Sequence, residues 1–282
     1  DKWSASKVRS YGEVVYVKKA RGPRDPLWRS VPNLIGAFLQ SVRRVGRVDV
    51  VVATGSNHCV PPSIAGKLRG ARLVTIESSV RFTKASLSIR ALTPLADILA
   101  LQWSEQKLLH KGGVVVGPIY ELPEHRPWNG GYVLVTGGTY GHKALFDAIS
   151  DLGLDNVVLQ TGRIDPRPYM KRHPTWKVFD FDPDFGRWLA GAKVVVTHFG
   201  KTAVDAVLSY RKPTIIVLNP EWRYTVGRED AEILARKLNA VLLSEVTAEA
   251  VRDAINDAVK RTLPMYEDGA ENLANLLLRL IS

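Results

Sequence analysis

Short β-branched runs alternate with stretches of helically spaced apolar residues along almost the whole chain, the signature of strands and helices taking turns. The clearest unit is Ala192–Pro220. Lys193–Val196 predicts a strand buried on both faces, and Thr197–Thr202 a small-residue turn. Ala203, Ala206, Val207 and Tyr210 then recur at helical spacing, Lys212-Pro213 stops the helix, and Thr214–Leu218 predicts the next strand. The first half repeats the theme: strands at Val14–Val17, Asp49–Ala53, Arg72–Ile76, Ile98–Gln102 and Val114–Val116, with Asp1–Lys7 as the exit of another. Helices are expected at Leu27–Val45, Pro62–Leu68 and Glu105–His110, and a loop or irregular helix at Ser78–Leu92. The second half has strands at Tyr132–Thr136, Asn156–Gln160, Trp176–Phe179 and Ala240–Leu243. Its helices are Lys143–Asp151, Pro183–Ala190, Asp230–Leu238, Ala248–Thr262 and an amphipathic Glu271–Ile281. Gly117–Gly131, rich in Pro and Gly and without periodicity, divides the halves. The pattern predicts an α/β protein of two parallel-sheet domains, residues 1–121 and 130–282, facing a cleft.

Composition narrows the picture. The 282 residues are 45% hydrophobic and 24% charged, as in ordinary globular proteins. Cys59 is the only cysteine, which excludes a disulfide framework and fits a reducing, cytoplasmic setting. The net charge of +11 lies wholly in the first half, where residues 1–121 hold 19 Lys+Arg against 8 Asp+Glu. Such asymmetry points to phosphorylated ligands or anionic lipid, with a merely basic solvated surface as the alternative. No nucleic-acid motif is present, whereas Trp3, Leu27, Trp28, Phe82 and Leu87 lie among the basic residues and would suit a membrane surface.

Candidate chemistry centres on the turn after Val196. Helix N-termini attract anions, so Gly200, Lys201 and Thr202 suit a phosphate and Asp205 the hydroxyls of a ribose; an ordinary βαβ turn is the alternative. Gly137–His142 forms a second glycine turn, but Ala144 stands where a dinucleotide fingerprint needs its third glycine. Asp180-Phe181-Asp182 has the spacing of a metal-binding pair, yet its position before Pro183 favours helix capping by Asp182 or Asp184. His198, His142 and, more weakly, His58 are candidate bases or anion contacts. Glu77, at a strand end, is the best carboxylate, with an ion pair to Arg81 as the alternative.

These residues carry a resemblance. Glu77-Ser78…Arg81, Leu87-Ser88, Pro94–Asp97, Gln102-Trp103 and Thr54-Gly55…Cys59-Val60-Pro61 resemble the membrane-recruiting subunit of the eukaryotic dolichol-pathway UDP-GlcNAc transferase. Val135–Thr139, Leu159–Arg163, Thr197–Gly200 and Leu234–Leu238 resemble its other subunit. The chain thus looks like a fused, archaeal-type member of glycosyltransferase family 28, distantly similar to the bacterial MurG enzymes. The resemblance implies the GT-B fold, with a UDP-sugar held by the C-terminal domain and a polyprenyl-diphosphate sugar acceptor by the N-terminal one. It further implies an anionic membrane surface as partner, peripheral attachment to its cytoplasmic face, and inverting GlcNAc transfer (β1,4 in lipid-linked oligosaccharide assembly) with no metal or cofactor. His198, Gly200, Lys201 and Thr202 would hold the diphosphate, and Asp205 the ribose. Gly138, Thr139, Gly162, Arg163, Asn219 and Glu229 would line the donor side. Glu77 and His198 would be the catalytic pair, and Arg81, Lys84 and Arg90 would face acceptor and membrane. Three departures stand out: the first strand and Gly-Gly-His loop of the family precede the point where this sequence starts, the Gly200–Asp205 interval is one residue short, and Arg228–Ala231 replaces an Asn/Gln-rich segment. A UDP-GlcNAc 2-epimerase-like enzyme and a non-catalytic sugar-nucleotide binder are the rival readings.

Overall fold

The computed structural model describes residues 8–9, 11–18, 27–219 and 227–282. The chain divides into two compact units, one running to Pro118 and taking in Asp268–Ser282, the other Ile119–Glu267.

In the first unit, helix α1 (Leu27–Arg44) is followed by β1 (Val50–Ala53), α2 (Val60–Leu68), β2 (Arg72–Ile76), α3 (Leu87–Leu92), β3 (Ile98–Leu101) and β4 (Val114–Val115). The strands form a four-stranded parallel sheet in chain order. Ala53, Leu73 and Leu92 are its buried centre, with Val51, Val60 and Ile64 packed against them. A Cβ on Gly66 would lie 2.5 Å from Val51, so glycine there lets α2 close onto β1.

Three expectations are corrected in this unit. Val14–Val17 is not a strand: its backbone is held by side chains of α1, with Lys18 N–H donating to Gln40 Oε1 (2.7 Å) and Arg44 donating to the Tyr16 carbonyl (2.9 Å). Residues 105–110 form only a short 3-10 turn, Ser104–Leu108. The last helix, α10 (Gly269–Ile281), groups with the first unit rather than the second; Gly269 N–H donates to the Pro118 carbonyl (3.0 Å) and Asn272 to that of Val116 (2.9 Å). The expected Asp1–Lys7 strand exit lies outside the described residues, as do Trp3 and the side chains of Leu27 and Trp28.

The second unit contains β5 (Tyr132–Thr136), α4 (Lys143–Asp151), β6 (Val157–Gln160), α5 (Arg167–Arg172), β7 (Lys177–Phe179), α6 (Phe185–Gly191) and β8 (Ala192–His198). A short α7 (Lys201–Val204), β9 (Thr214–Val217), α8 (Arg228–Leu238), β10 (Val241–Leu243) and α9 (Ala248–Ala258) complete it. All six strands are parallel, ordered β10-β9-β8-β5-β6-β7. Alternate residues feed two cores. Val133, Val135, Val194, Val196 and Ile215 face α4 and α9, and Leu134, Val158 and Val195 face α6 and Ala206. Burial on both faces is why these strands read as unbroken apolar runs.

Helix α5 is absent from the elements that the sequence pattern predicts; proline serves at its start, where the missing N–H costs nothing. Past α7 the helix widens into a π turn, Asp205–Ser209, with Tyr210 N–H bonded to the Asp205 carbonyl (3.0 Å).

Candidate functional site

Numbered by appearance in the second unit, the strand order is 3-2-1-4-5-6, and it reverses between β5 and β8. Ligands of open parallel sheets bind beyond the strand C-termini at that reversal. The loops there are Gly137–His142 and Phe199–Thr202, with Thr161–Arg163 after the neighbouring β6.

Glycine permits these loops to meet backbone to backbone. Gly138 has φ +68° and receives support from Thr136, whose hydroxyl accepts its N–H (3.1 Å) while donating to Gln160 (2.9 Å). A Cβ on Gly138 would lie 2.5 Å from His198 Cε1. Gly162 (φ +61°) has still less room: a Cβ would sit 2.3 Å from the Gly138 carbonyl. Arg163 N–H closes the contact on the Thr139 carbonyl (3.0 Å), and the Arg163 guanidinium lies over the Tyr140 ring at 4.6 Å. Thus Gly138, Thr139, Gly162, Arg163, His198 and Gly200 come together. Tyr140 joins them and was not singled out.

His198 ends β8 with its ring against Gly138 and Gly200. Burial, helped by nearby His142, pushes its pKa down to about 4. Its Nδ1 is buried with no hydrogen-bond partner among the described residues. At neutral pH it is therefore an uncharged imidazole, suited to donating one N–H to an oxyanion and a poor proton acceptor. His142 does other work. Its Nδ1 accepts from Leu145 N–H (3.4 Å) at the start of α4 and its Nε2 donates to the Leu218 carbonyl (3.3 Å).

Lys201 and Asp205, expected at diphosphate and ribose, form an ion pair one turn apart, and Asp205 also accepts from Glu121 N–H (3.3 Å). Burial pushes the Asp205 pKa up despite the lysine. Ser209 Oγ binds the Glu121 carbonyl (2.5 Å), so one residue of the linker has both backbone groups held by the π turn. Thr202 lies half-buried in the first turn, Asn219 half-buried beyond β9, and Glu229 exposed in the first turn of α8.

The Asp180–Asp184 segment organises the start of α6. Asp182 accepts from Asp184 N–H (2.9 Å), Trp188 Nε1 (2.8 Å) and Arg187 (2.6 Å). Asp184 stands at the cap position without a capping bond and turns to His125 Nε2 (2.6 Å). Glu124 completes a group of three whose ligand atoms lie within 4.8 Å of one another, on the surface.

In the first unit Glu77 is corrected too. Its fully buried carboxylate accepts from Ser78 N–H (2.8 Å), Ser86 N–H (3.1 Å) and His110 Nε2 (2.8 Å). A carboxylate so enclosed is not presented to a substrate hydroxyl, and its partner is His110 rather than Arg81. Arg81 is half-buried, and Lys84 and Arg90 are exposed. Phe82, expected among membrane-facing residues, is 3% exposed and packs on Trp103. His58 lies exposed in the turn after β1. The α1 helix carries exposed Val31, Ile35 and Leu39 at helical spacing, and no helix among the described residues is long and apolar enough to cross a membrane.

Two parallel α/β units, the second with a glycine-lined strand reversal, place the chain in the GT-B class of folds. MurG of Acinetobacter baumannii aligns over 98% of this chain and 87% of its own, with TM-score 0.62 and 15% identity. The UDP-GlcNAc 2-epimerase of Methanocaldococcus jannaschii aligns over 90% and 83%, with TM-score 0.62 and 13% identity. The glycotransferase of kitacinnamycin aligns over 99% and 85%, with TM-score 0.64 and 14% identity.

Sequence separates these neighbours. The glycosyltransferase family 28 C-terminal domain matches residues 132–278, and the chain belongs to that family: it is a glycosyltransferase. The first unit matches the oligosaccharide biosynthesis protein Alg14-like family over residues 1–117. A UDP-N-acetylglucosamine–N-acetylmuramyl-(pentapeptide) pyrophosphoryl-undecaprenol N-acetylglucosamine transferase of Prochlorococcus marinus is 28% identical over 86% of this chain and 72% of its own length. The enzyme of the same name from Lawsonia intracellularis is 22% identical over 94% and 78%.

Proposed function

We propose that this chain transfers N-acetylglucosamine from UDP-GlcNAc to a sugar carried on a polyprenyl diphosphate, with inversion at the anomeric carbon. The acceptor oxygen bonds to that carbon and its proton passes to water as the bond to the β-phosphate oxygen breaks, and UDP leaves with the electron pair. Negative charge grows on the departing diphosphate, which is where preorganised donors lower the barrier most. In this reading those donors are the neutral His198 N–H, the first-turn amides of Lys201 and Thr202, and the Lys201 ammonium once it leaves Asp205. Gly138, Thr139, Gly162 and Arg163 form the wall beside them, and Asn219 and Glu229 lie toward the sugar.

The observation that carries the reading is the family 28 match over residues 132–278, which spans every loop of the strand-reversal cluster. The finer version is β1,4 transfer onto a dolichyl-type diphosphate GlcNAc at the cytoplasmic face of a membrane. It draws support from the Alg14-like match and from the basic first half with its exposed α1 stripe. The test is product analysis with UDP-GlcNAc and phytanyl-diphosphate-linked GlcNAc. Formation of UDP and a lipid-linked disaccharide supports the proposal. Conversion of UDP-GlcNAc without acceptor supports an epimerase instead.

A further inference from the structure

The segment Ser78–Ser86 leaves β2 at the C-terminal edge of the first unit's sheet and has no regular structure, yet it is tied down from three sides. The two oxygens of Glu77 accept the N–H groups of Ser78 and Ser86, so one carboxylate clasps both ends of the loop. Behind it stands a buried row that follows β3. Gln102 donates to the Glu77 carbonyl, Trp103 Nε1 to that of Ser79, and Gln106 to those of Ser78 and Arg81, all at 2.8–2.9 Å. His110 closes the row on Glu77 at 2.8 Å. On the far side the hydroxyls of Ser86 and Ser88 donate to the Gly55 carbonyl (3.2 and 2.7 Å).

A fully buried carboxyl–imidazole pair is a costly way to fill a core, because desolvation offsets much of the attraction. What it supplies is shape: Phe82 is turned inward while Lys84, and partly Arg81, remain at the surface. A preformed loop bearing two cations at the C-terminal ends of parallel strands suits an organic diphosphate.

We propose that Glu77 and His110 are positioning residues that preset this loop for the acceptor's diphosphate, acting through Arg81 and Lys84; this rests on the reading of the chain as a lipid-diphosphate sugar transferase. The test compares Glu77→Gln with Asp97→Asn. The latter disturbs a fold contact at the start of β3, where Asp97 accepts from Leu73 N–H (2.7 Å). Glu77→Gln should raise KM for phytanyl-diphosphate-linked GlcNAc about tenfold with KM for UDP-GlcNAc within about twofold. Amide exchange should quicken at Ser78 and Ser86 while β2 and β3 stay protected. Asp97→Asn should lower the melting temperature without moving the acceptor KM. An unchanged acceptor KM in Glu77→Gln, or an equal rise in Asp97→Asn, overturns the proposal. If the wild-type chain transfers nothing to this acceptor, the functional reading fails separately. Inorganic pyrophosphate binding, measured with UDP saturating, then decides. Binding lost in Arg81→Ala and weakened in Glu77→Gln supports the clasp, and binding unaffected by both overturns it.

Discussion

Lys201 and Asp205 neutralise each other across one turn of the helix that follows β8. The cation best placed to meet a phosphate is therefore already engaged, and the carboxylate it engages is largely buried. Binding a diphosphate here means an exchange of partners for Lys201.

Asp205→Asn removes the competitor and should tighten UDP binding by a few-fold, about 1 kcal/mol for a partly exposed pair. Lys201→Ala should weaken it about tenfold. Calorimetric titration of UDP checks both. Weaker binding by Asp205→Asn would restore a direct ribose contact and contradict the exchange.

Gly162→Ala should disrupt the loop cluster. The new Cβ meets backbone rather than a movable side chain, and the residue must keep φ +61°. A loss of about 1–3 kcal/mol in stability is expected, with UDP affinity reduced. Chemical denaturation measures it, and a variant as stable and as tight-binding as wild type would contradict the packing described.

The pKa of His198, about 4 when folded against 6.5 when exposed, makes stability depend on pH. Between those values the unfolded chain binds the extra proton, so this contribution is present above pH 6.5 and lost as pH falls toward 4. The full span is about 3 kcal/mol. His198→Gln should flatten the stability profile in that window, measured by denaturant titration at several pH values. An unchanged slope would mean that His198 is not buried neutral.

Attachment to anionic vesicles should combine charge with the exposed Val31, Ile35 and Leu39 of α1. In co-sedimentation with phosphatidylglycerol vesicles, about 0.5 M salt should release most of the protein, since screening shortens the reach of surface charge to a few ångströms. Ile35→Asp should weaken binding further. Indifference to both would contradict a membrane-facing first unit.

The second unit was legible in the sequence because its strands are buried on both faces, so Val133–Val135, Val194–Val196 and Ile215–Val217 stand out as apolar runs. The loop cluster was legible for a related reason: only glycine fits at 138 and 162, and glycines after strands are visible. Partners were harder. Lys201 and Asp205 have ion-pair spacing, but residue types that suit a nucleotide suit each other as well. Glu77 was rightly placed at a strand end, yet its partner His110 arrives from the turn after β3, which only the folded sheet brings behind it. The last helix shows its amphipathic face in the sequence without saying which core that face covers.

The most direct measurement is a crystal structure of the protein soaked with UDP. The account predicts the diphosphate against His198, Gly200, Lys201 and Thr202, with Lys201 withdrawn from Asp205 and the nucleoside beside Gly138 and Gly162. Nucleotide density at any other place, with the Lys201–Asp205 pair intact, would contradict it.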